Sequence, residues 1–185
     1  MNLINKKELR DLQIKKLAKF AETKQKQLED LILKEKLITS PALREVANIG
    51  ISVSMPIEVN TAPIIASLWR LNKRVYIPRC LPNRKMEFTF YDKNTTLVKT
   101  KFGVLENHNP KVEIKNDLDL IIVPGLAYGL DKNSRLGFGG GYYDRFLKKN
   151  STRTISLINS VQSFSETMWR VEKHDIAIEK FILVN

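Results

Sequence analysis

Four of the chain's eight glycines fall within five positions, at Gly137, Gly139, Gly140 and Gly141. They belong to the run Arg135-Leu136-Gly137-Phe138-Gly139-Gly140-Gly141-Tyr142-Tyr143-Asp144-Arg145-Phe146-Leu147. Without Cβ atoms, such a loop lets several backbone N–H groups crowd around one anion, and a helix predicted from Tyr143 to Lys149 would point its N-terminus at the same place. The unbroken apolar run Leu120-Ile121-Ile122-Val123 reads as a strand covered on both faces, so strand, glycine loop and helix together make a phosphate cradle. The glycine spacing does not fit G-x-G-x-x-G, and no G-K-[ST] follows, which excludes the dinucleotide fingerprint and the Walker A loop. An ATP site of another design is left, with Arg135 at its edge and Asp144 just beyond; a glycine turn kept only for packing is the competing reading.

Other charged residues bear on the same chemistry. Lys6 and Arg10 stand four apart, on one face of a predicted helix, where two cations could reach one polyphosphate. The same pair also reads as solvated surface charge. Lys and Arg total 31 against 20 Asp and Glu, a formal charge of +11, which favours polyanionic partners such as nucleotides, folates with glutamate tails, or nucleic acid. The charge is spread over many segments, so basicity alone does not select among them. Cys80 is the sole cysteine and His108 and His174 the sole histidines, which excludes an intramolecular disulfide, a thiolate zinc site and a His-rich metal centre. No apolar run nears the roughly 20 residues of a membrane span, and Met1 to Arg10 carries no apolar signal core, so a cytoplasmic address is expected.

The elements that must position these residues follow from periodicity. Leu9, Leu12, Leu17 and Phe20 recur at near-helical spacing after Asn5, and Leu28, Leu31, Ile32 and Glu35 mark a second helix that ends before Thr39-Ser40-Pro41. Ile49, Ile51 and Val53 then alternate with Gly50, Ser52 and Ser54 as a strand does. A helix with Pro63 in its first turn and a second strand at Val75-Tyr76-Ile77 come next, and strand–helix–strand argues for a parallel sheet. Met86 to Glu106 reads as a hairpin or excursion on that sheet. Strands at Thr154 to Asn159 and Ile176 to Val184, joined by a helical turn near Glu166 to Trp169, complete the expected order. A single domain spanning residues 1–185 is expected, with mean hydropathy −0.25 typical of a soluble globular chain.

The Arg135–Leu147 run resembles the signature loop of the 5-formyltetrahydrofolate cyclo-ligase family. Lys6-x-x-x-Arg10, Glu58 before Thr61, Tyr76-Ile77-Pro78-Arg79, Phe102-Gly103-Val104-Leu105-Glu106, Val123-Pro124-Gly125 and His174-Asp175 have counterparts in the same order, so the resemblance covers nearly the whole chain. It implies a three-layer α/β/α sandwich with a mainly parallel sheet. It also implies ATP-dependent, magnesium-requiring conversion of 5-formyltetrahydrofolate to 5,10-methenyltetrahydrofolate, releasing ADP and phosphate. Carried over residue by residue, it gives Lys6, Arg10, Arg135, Leu136, Gly137, Phe138, Gly139, Gly140, Gly141, Tyr142 and Tyr143 to ATP. Val53 and Glu58, with the aromatic faces of Phe138 and Tyr142, go to the folate, and Asp144 and Asp175 to Mg2+. The chain departs from the family pattern around Leu157–Ser160 and near Arg170, which leaves the far wall of a folate pocket unassigned. A folate-binding ATPase of altered substrate and a basic nucleic-acid-binding domain are the alternatives.

Overall fold

A computed structural model describes residues 3–101 and 103–185; Phe102, from the Phe102–Glu106 motif, lies outside the described residues, as do Met1 and Asn2. The helix starts follow the local chemistry. Asn5 caps α1 (Lys6–Ala21), its Oδ1 accepting from the Lys7 N–H at 2.8 Å, and Thr23 caps α2 (Lys24–Ile38) by accepting from Lys26 N–H at 3.1 Å. Each side chain satisfies a donor that the first turn leaves unpaired. The buried stripes differ from the expected ones. Leu12, Leu28 and Leu31 are exposed, whereas Gln13 and Glu29 are buried beside Leu9, Leu17, Leu33 and Leu37. Gln13 Nε2 donates to the carbonyls of Leu126 and Val161, although its Oε1 has no partner among the described residues, and Glu29 Oε2 accepts from Ser160 N–H at 2.8 Å, so distant backbone groups pair the Gln13 NH2 and the Glu29 carboxyl. Buried polar groups are tolerated when so paired.

Between these helices and the C-terminus lies a six-stranded sheet. In chain order its strands are β1 (Asn48–Ile51), β2 (Arg74–Leu81), β3 (Lys85–Tyr91), β6 (Leu120–Ile122), β9 (Arg153–Ile158) and β11 (Lys180–Leu183), with spatial order β11-β9-β6-β1-β2-β3. All neighbours are parallel except β2 and β3, the antiparallel excursion expected on the main sheet. α3 (Ala62–Arg70) covers one face with α2, burying Ile64, Ile65 and Leu68 against Ile49, Ile51, Leu120 and Ile122. Each such side chain contributes roughly 1.5–3 kcal/mol on burial. α4 (Tyr142–Lys149) covers the other face through Phe146 and Leu147, which join Tyr76, Phe88 and Ile121. The expected three-layer α/β/α architecture is therefore the observed one.

Shorter strands were not anticipated. β4 (Val98–Lys99) and β5 (Leu105–Glu106) pair with each other, and β7 (Ala127–Gly129), β8 (Ser134–Leu136) and β10 (Ser163–Phe164) make a small separate sheet against which α1 packs. The helical turn expected at Glu166–Trp169 is absent: this segment is irregular, and Ile4 N–H donates to Met168 carbonyl at 2.7 Å beside an Ile4–Trp169 bridge. Asp131 Oδ1 also accepts from Thr167 N–H at 2.8 Å. These outside partners take the backbone groups that a helical turn would have used. β1 stops at Ile51, which leaves Val53 in the loop beyond the strand, and β11 begins at Lys180. No helix among the described residues is long and apolar enough to cross a membrane.

Candidate active site at the carboxyl ends of the central strands

The strand order reverses between β1 and β6, because β2 and β3 build outward on one side while β9 and β11 build on the other. The chain therefore leaves the carboxyl ends of β1 and β6 in opposite directions and opens a crevice there, the usual ligand position in open α/β sheets. A cleft of about 1200 Å3 occupies this place. It is lined by Lys6, Arg10, Val53, Glu58, Asp144 and Asp175, and by every residue from Arg135 to Tyr143. All the candidate residues, scattered over some 170 positions of sequence, thus meet in one cavity.

The loop after β1 is held by side chains at its base. Thr61 Oγ1 accepts from Ser54 N–H at 2.9 Å and donates to Ser52 carbonyl at 2.8 Å, while Ser54 Oγ accepts from Thr61 N–H. Within the loop, Glu58 Oε2 accepts from Met55 N–H at 2.7 Å. Glu58 is 9% exposed, and burial pushes its carboxyl above the usual range, opposed by that one N–H. A buried carboxylate with so few donors is poised to accept more from a ligand.

Beyond β6, the segment Pro124–Gly125 leads into β7 and β8, and β8 presents Arg135. Its side chain is 4% exposed. Nη1 donates to Pro124 carbonyl at 3.0 Å, Nη2 donates to Asp144 Oδ2 at 3.0 Å, and the guanidinium lies over the Tyr143 ring. The glycine loop follows. Gly139 (φ 101°) and Gly141 (φ 66°) adopt left-handed backbone, a conformation that disfavours a Cβ. A Cβ at Gly137 would also meet Arg135 Nη1 at 2.7 Å. Arg10 reaches in from α1 and donates from Nε to Gly137 carbonyl at 2.8 Å.

Two carboxylates complete the floor. Asp175 Oδ2 accepts from Lys6 Nζ at 2.5 Å and from Glu172 N–H at 2.8 Å. The next residue along, Ile176, donates its N–H to Asp144 Oδ1 at 3.1 Å, which sets the segment of the second carboxylate beside the first. Each aspartate therefore carries a cation from the proposed phosphate set: Lys6 on Asp175 and Arg135 on Asp144. No group of three or more His, Cys, Asp or Glu side chains able to hold a metal occurs among the described residues. Two carboxylates lining the cleft would suit Mg2+, since this ion takes one or two carboxylates with water or phosphate oxygens in its other positions, not an all-protein cage. The donor set fits.

Sequence reasoning missed several cleft residues. Arg84, Glu106, Arg145, Lys148 and Glu172 all line it; Arg145 lay inside the glycine-loop motif, whereas Arg84 enters only because the turn after β2 bends back over the site. Cys80 lines it too, but burial and the neighbouring Glu106 push its thiol up to about 12, so it stays protonated and fits its expected role as a small packing residue.

The sequence model of the 5-formyltetrahydrofolate cyclo-ligase family matches residues 3–184. The chain is 31% identical over 162 residues to the 5-formyltetrahydrofolate cyclo-ligase of Haemophilus influenzae, spanning 78% of this chain and 84% of that protein. It is 33% identical over 120 residues to a probable 5-formyltetrahydrofolate cyclo-ligase of Schizosaccharomyces pombe, spanning 62% of this chain but only 58% of the relative. The NMR structure of Aquifex aeolicus 5,10-methenyltetrahydrofolate synthetase superposes with a TM-score of 0.80 at 24% identity, over 98% of this chain and 90% of that one; at that identity the likeness is one of fold. With the family's signature loop at the mouth of its cleft and the match running almost end to end, this chain belongs to the 5-formyltetrahydrofolate cyclo-ligase family.

Proposed function

We propose that this protein uses ATP and Mg2+ to close 5-formyltetrahydrofolate to 5,10-methenyltetrahydrofolate, with release of ADP and phosphate. The observation that carries the reading is the backbone of the glycine loop: among the described residues, no N–H from Phe138 to Asp144 donates to a protein acceptor. A row of unpaired donors beside Lys6, Arg10 and Arg135 is built for phosphate oxygens. The cleft's size supports two ligands in one space, because single drug-sized ligands usually occupy about 300–1,000 Å3.

In this arrangement the reaction needs positioning and charge neutralisation more than proton transfer. The glycine-loop N–H groups, Lys6, Arg10 and Arg135 hold the polyphosphate. Glu58 accepts from the amine and ring N–H of the pterin, Val53 supplies apolar wall, and Phe138 and Tyr142 present aromatic faces to the folate. This fixes the formyl oxygen for attack on the γ-phosphate with departure of ADP, after which the neighbouring folate nitrogen attacks the formyl carbon, and the ring closes as phosphate leaves and that nitrogen releases its proton. Asp144 and Asp175 would hold Mg2+, which supplies neutralisation of phosphate charge when bound. Mixing the protein with ATP, magnesium and 5-formyltetrahydrofolate should produce the ultraviolet absorbance of the methenyl product, dependent on all three. ATP hydrolysis without that absorbance would point instead to an ATPase of altered substrate.

A further inference from the structure

Arg145 stands in the first turn of α4, solvent-exposed and among the residues that line the cleft, and nothing in the phosphate or folate assignment uses it. Its Nη1 donates to the carbonyl of Gly140 at 2.8 Å and to that of Gly141 at 2.9 Å. In a trans peptide the C=O and N–H point in opposite directions, and the described chain has no cis peptide bond. Drawing these two carbonyls toward the guanidinium therefore turns the N–H groups of Gly141 and Tyr142 the other way. Those are two of the donors that find no protein acceptor. Arg10 acts at the other end of the loop through Gly137 carbonyl, so arginines grip the loop at both ends by its acceptors and leave its donors free.

Holding the loop this way also works against its composition. Gly139 and Gly141 sit in left-handed backbone and Gly140 lies between them, and glycines lose the most conformational freedom on ordering. The geometry points to Arg145 as a positioning residue for the phosphate cradle: it orders Gly140 and Gly141 before the nucleotide arrives and does not itself contact phosphate. The inference rests on the nucleotide reading given above. A bidentate grip on two carbonyls by one charged group has the strength of charge-assisted hydrogen bonds, and a preordered loop spares the nucleotide the cost of ordering it. Removing the grip should weaken nucleotide binding about tenfold, an estimate taken from the usual strength of such bonds.

The test combines backbone 15N relaxation of the ligand-free protein with calorimetric titration of a non-hydrolysable ATP analogue in magnesium, for the unsubstituted protein, Arg145→Ala and Arg145→Lys. Arg145 is exposed, so neither change opens a cavity, and thermal midpoints check the fold. The expected result is threefold. Order parameters at Gly140 and Gly141 fall from about 0.85 toward 0.6 in Arg145→Ala, analogue affinity drops about tenfold with 5-formyltetrahydrofolate affinity unchanged, and Arg145→Lys recovers part of both. A drop in affinity with undisturbed order parameters would place the guanidinium on the phosphate and overturn the positioning role. Unchanged affinity in Arg145→Ala overturns the inference alone. Failure of the unsubstituted protein to bind the analogue overturns the nucleotide reading and the inference with it.

Discussion

Asp175→Asn should change nucleotide binding in opposite directions with and without magnesium. Asp175 and Lys6 meet at 2.5 Å with side chains 17% and 21% exposed. At an effective dielectric near 20, unit charges about 4 Å apart attract by about 4 kcal/mol. Desolvation and side-chain ordering cancel most of that, leaving on the order of 1 kcal/mol for the pair. Lys6 must give up this partner to reach a phosphate oxygen. Asparagine keeps an acceptor for Glu172 N–H, which Asp175 now satisfies, while it releases the lysine and removes a negative charge beside the phosphates. In excess chelator, ATP affinity should therefore rise about fivefold, the equivalent of roughly 1 kcal/mol. In magnesium the same change removes one of two carboxylate ligands, and affinity should fall by at least the roughly 10–100-fold that even outer-shell partners of a metal cost. Calorimetric titration with a non-hydrolysable ATP analogue under both conditions reads the two signs directly. A shift in the same direction in both would refute the exchange of partners at Asp175.

Three further outcomes are expected. Gly140→Val should weaken ATP-analogue binding more than tenfold and folate binding by less, because a Cβ at this position would lie 2.7 Å from the Tyr142 ring, shifting that folate-facing ring and driving side-chain bulk into the cradle; calorimetry for each ligand checks it. Burial raises the Glu58 carboxyl above its ordinary value, so folate affinity should decline as pH falls through that raised value, and Glu58→Gln should bind folate more weakly with a flat pH profile. The same residue makes a stability prediction: a carboxyl that holds its proton more tightly when folded is neutral to stability below its unfolded value and destabilising once pH has risen through its folded value. Glu58→Gln should accordingly raise the thermal midpoint at pH 8 by about 2–4 °C, as a change of about 1 kcal/mol does in a chain of this size, with no such gain at pH 4. Cys80, with its thiol pushed up to about 12, should resist iodoacetamide at pH 8 until the protein is denatured, and Cys80→Ser should keep its turnover.

The sequence announced those parts of the structure whose signals are local. Asn5 and Thr23 mark helix starts through their own side chains, Leu120–Val123 needs two covered faces wherever it lies, and the glycine cluster needs no distant partner to favour a crowded loop. The burial of Gln13 and Glu29 was not legible, because their partners lie 113 to 148 residues away and periodicity shows them only as polar positions on a helix. The segment at Glu166–Trp169 was misread for the same reason: Ile4 and Asp131 hold it irregular from outside. β7, β8 and β10, at two or three residues each, are too short to display any period. In the site, residue types suggested phosphate and metal chemistry, but the pairing of Lys6 with Asp175 and of Arg135 with Asp144 depends on tertiary closure. The carbonyl contacts of Arg145 depend on loop backbone angles that a string of glycines does not dictate.

The contact between α1 and the segment around Trp169–Asp175 bears on how the protein gains its competence during synthesis. Lys6 and Asp175 are 169 residues apart, and the Ile4–Trp169 bridge spans nearly as much. Chains emerge from the ribosome at about 5–20 residues per second and begin folding from the N-terminus. α1 must therefore wait on the order of ten seconds for the segment that completes its docking surface. Closing so long a loop is also among the entropically slower steps of folding. A nascent chain that has formed β1, α3 and β2 would still lack the far half of the cleft, Asp144 and Asp175 included, so the nucleotide binding proposed above would have to wait for the last part of the chain. In a pulse-labelling experiment, ATP-analogue capture should therefore appear only with chains that include Asp175, later than protease resistance of the α3 and β2 region.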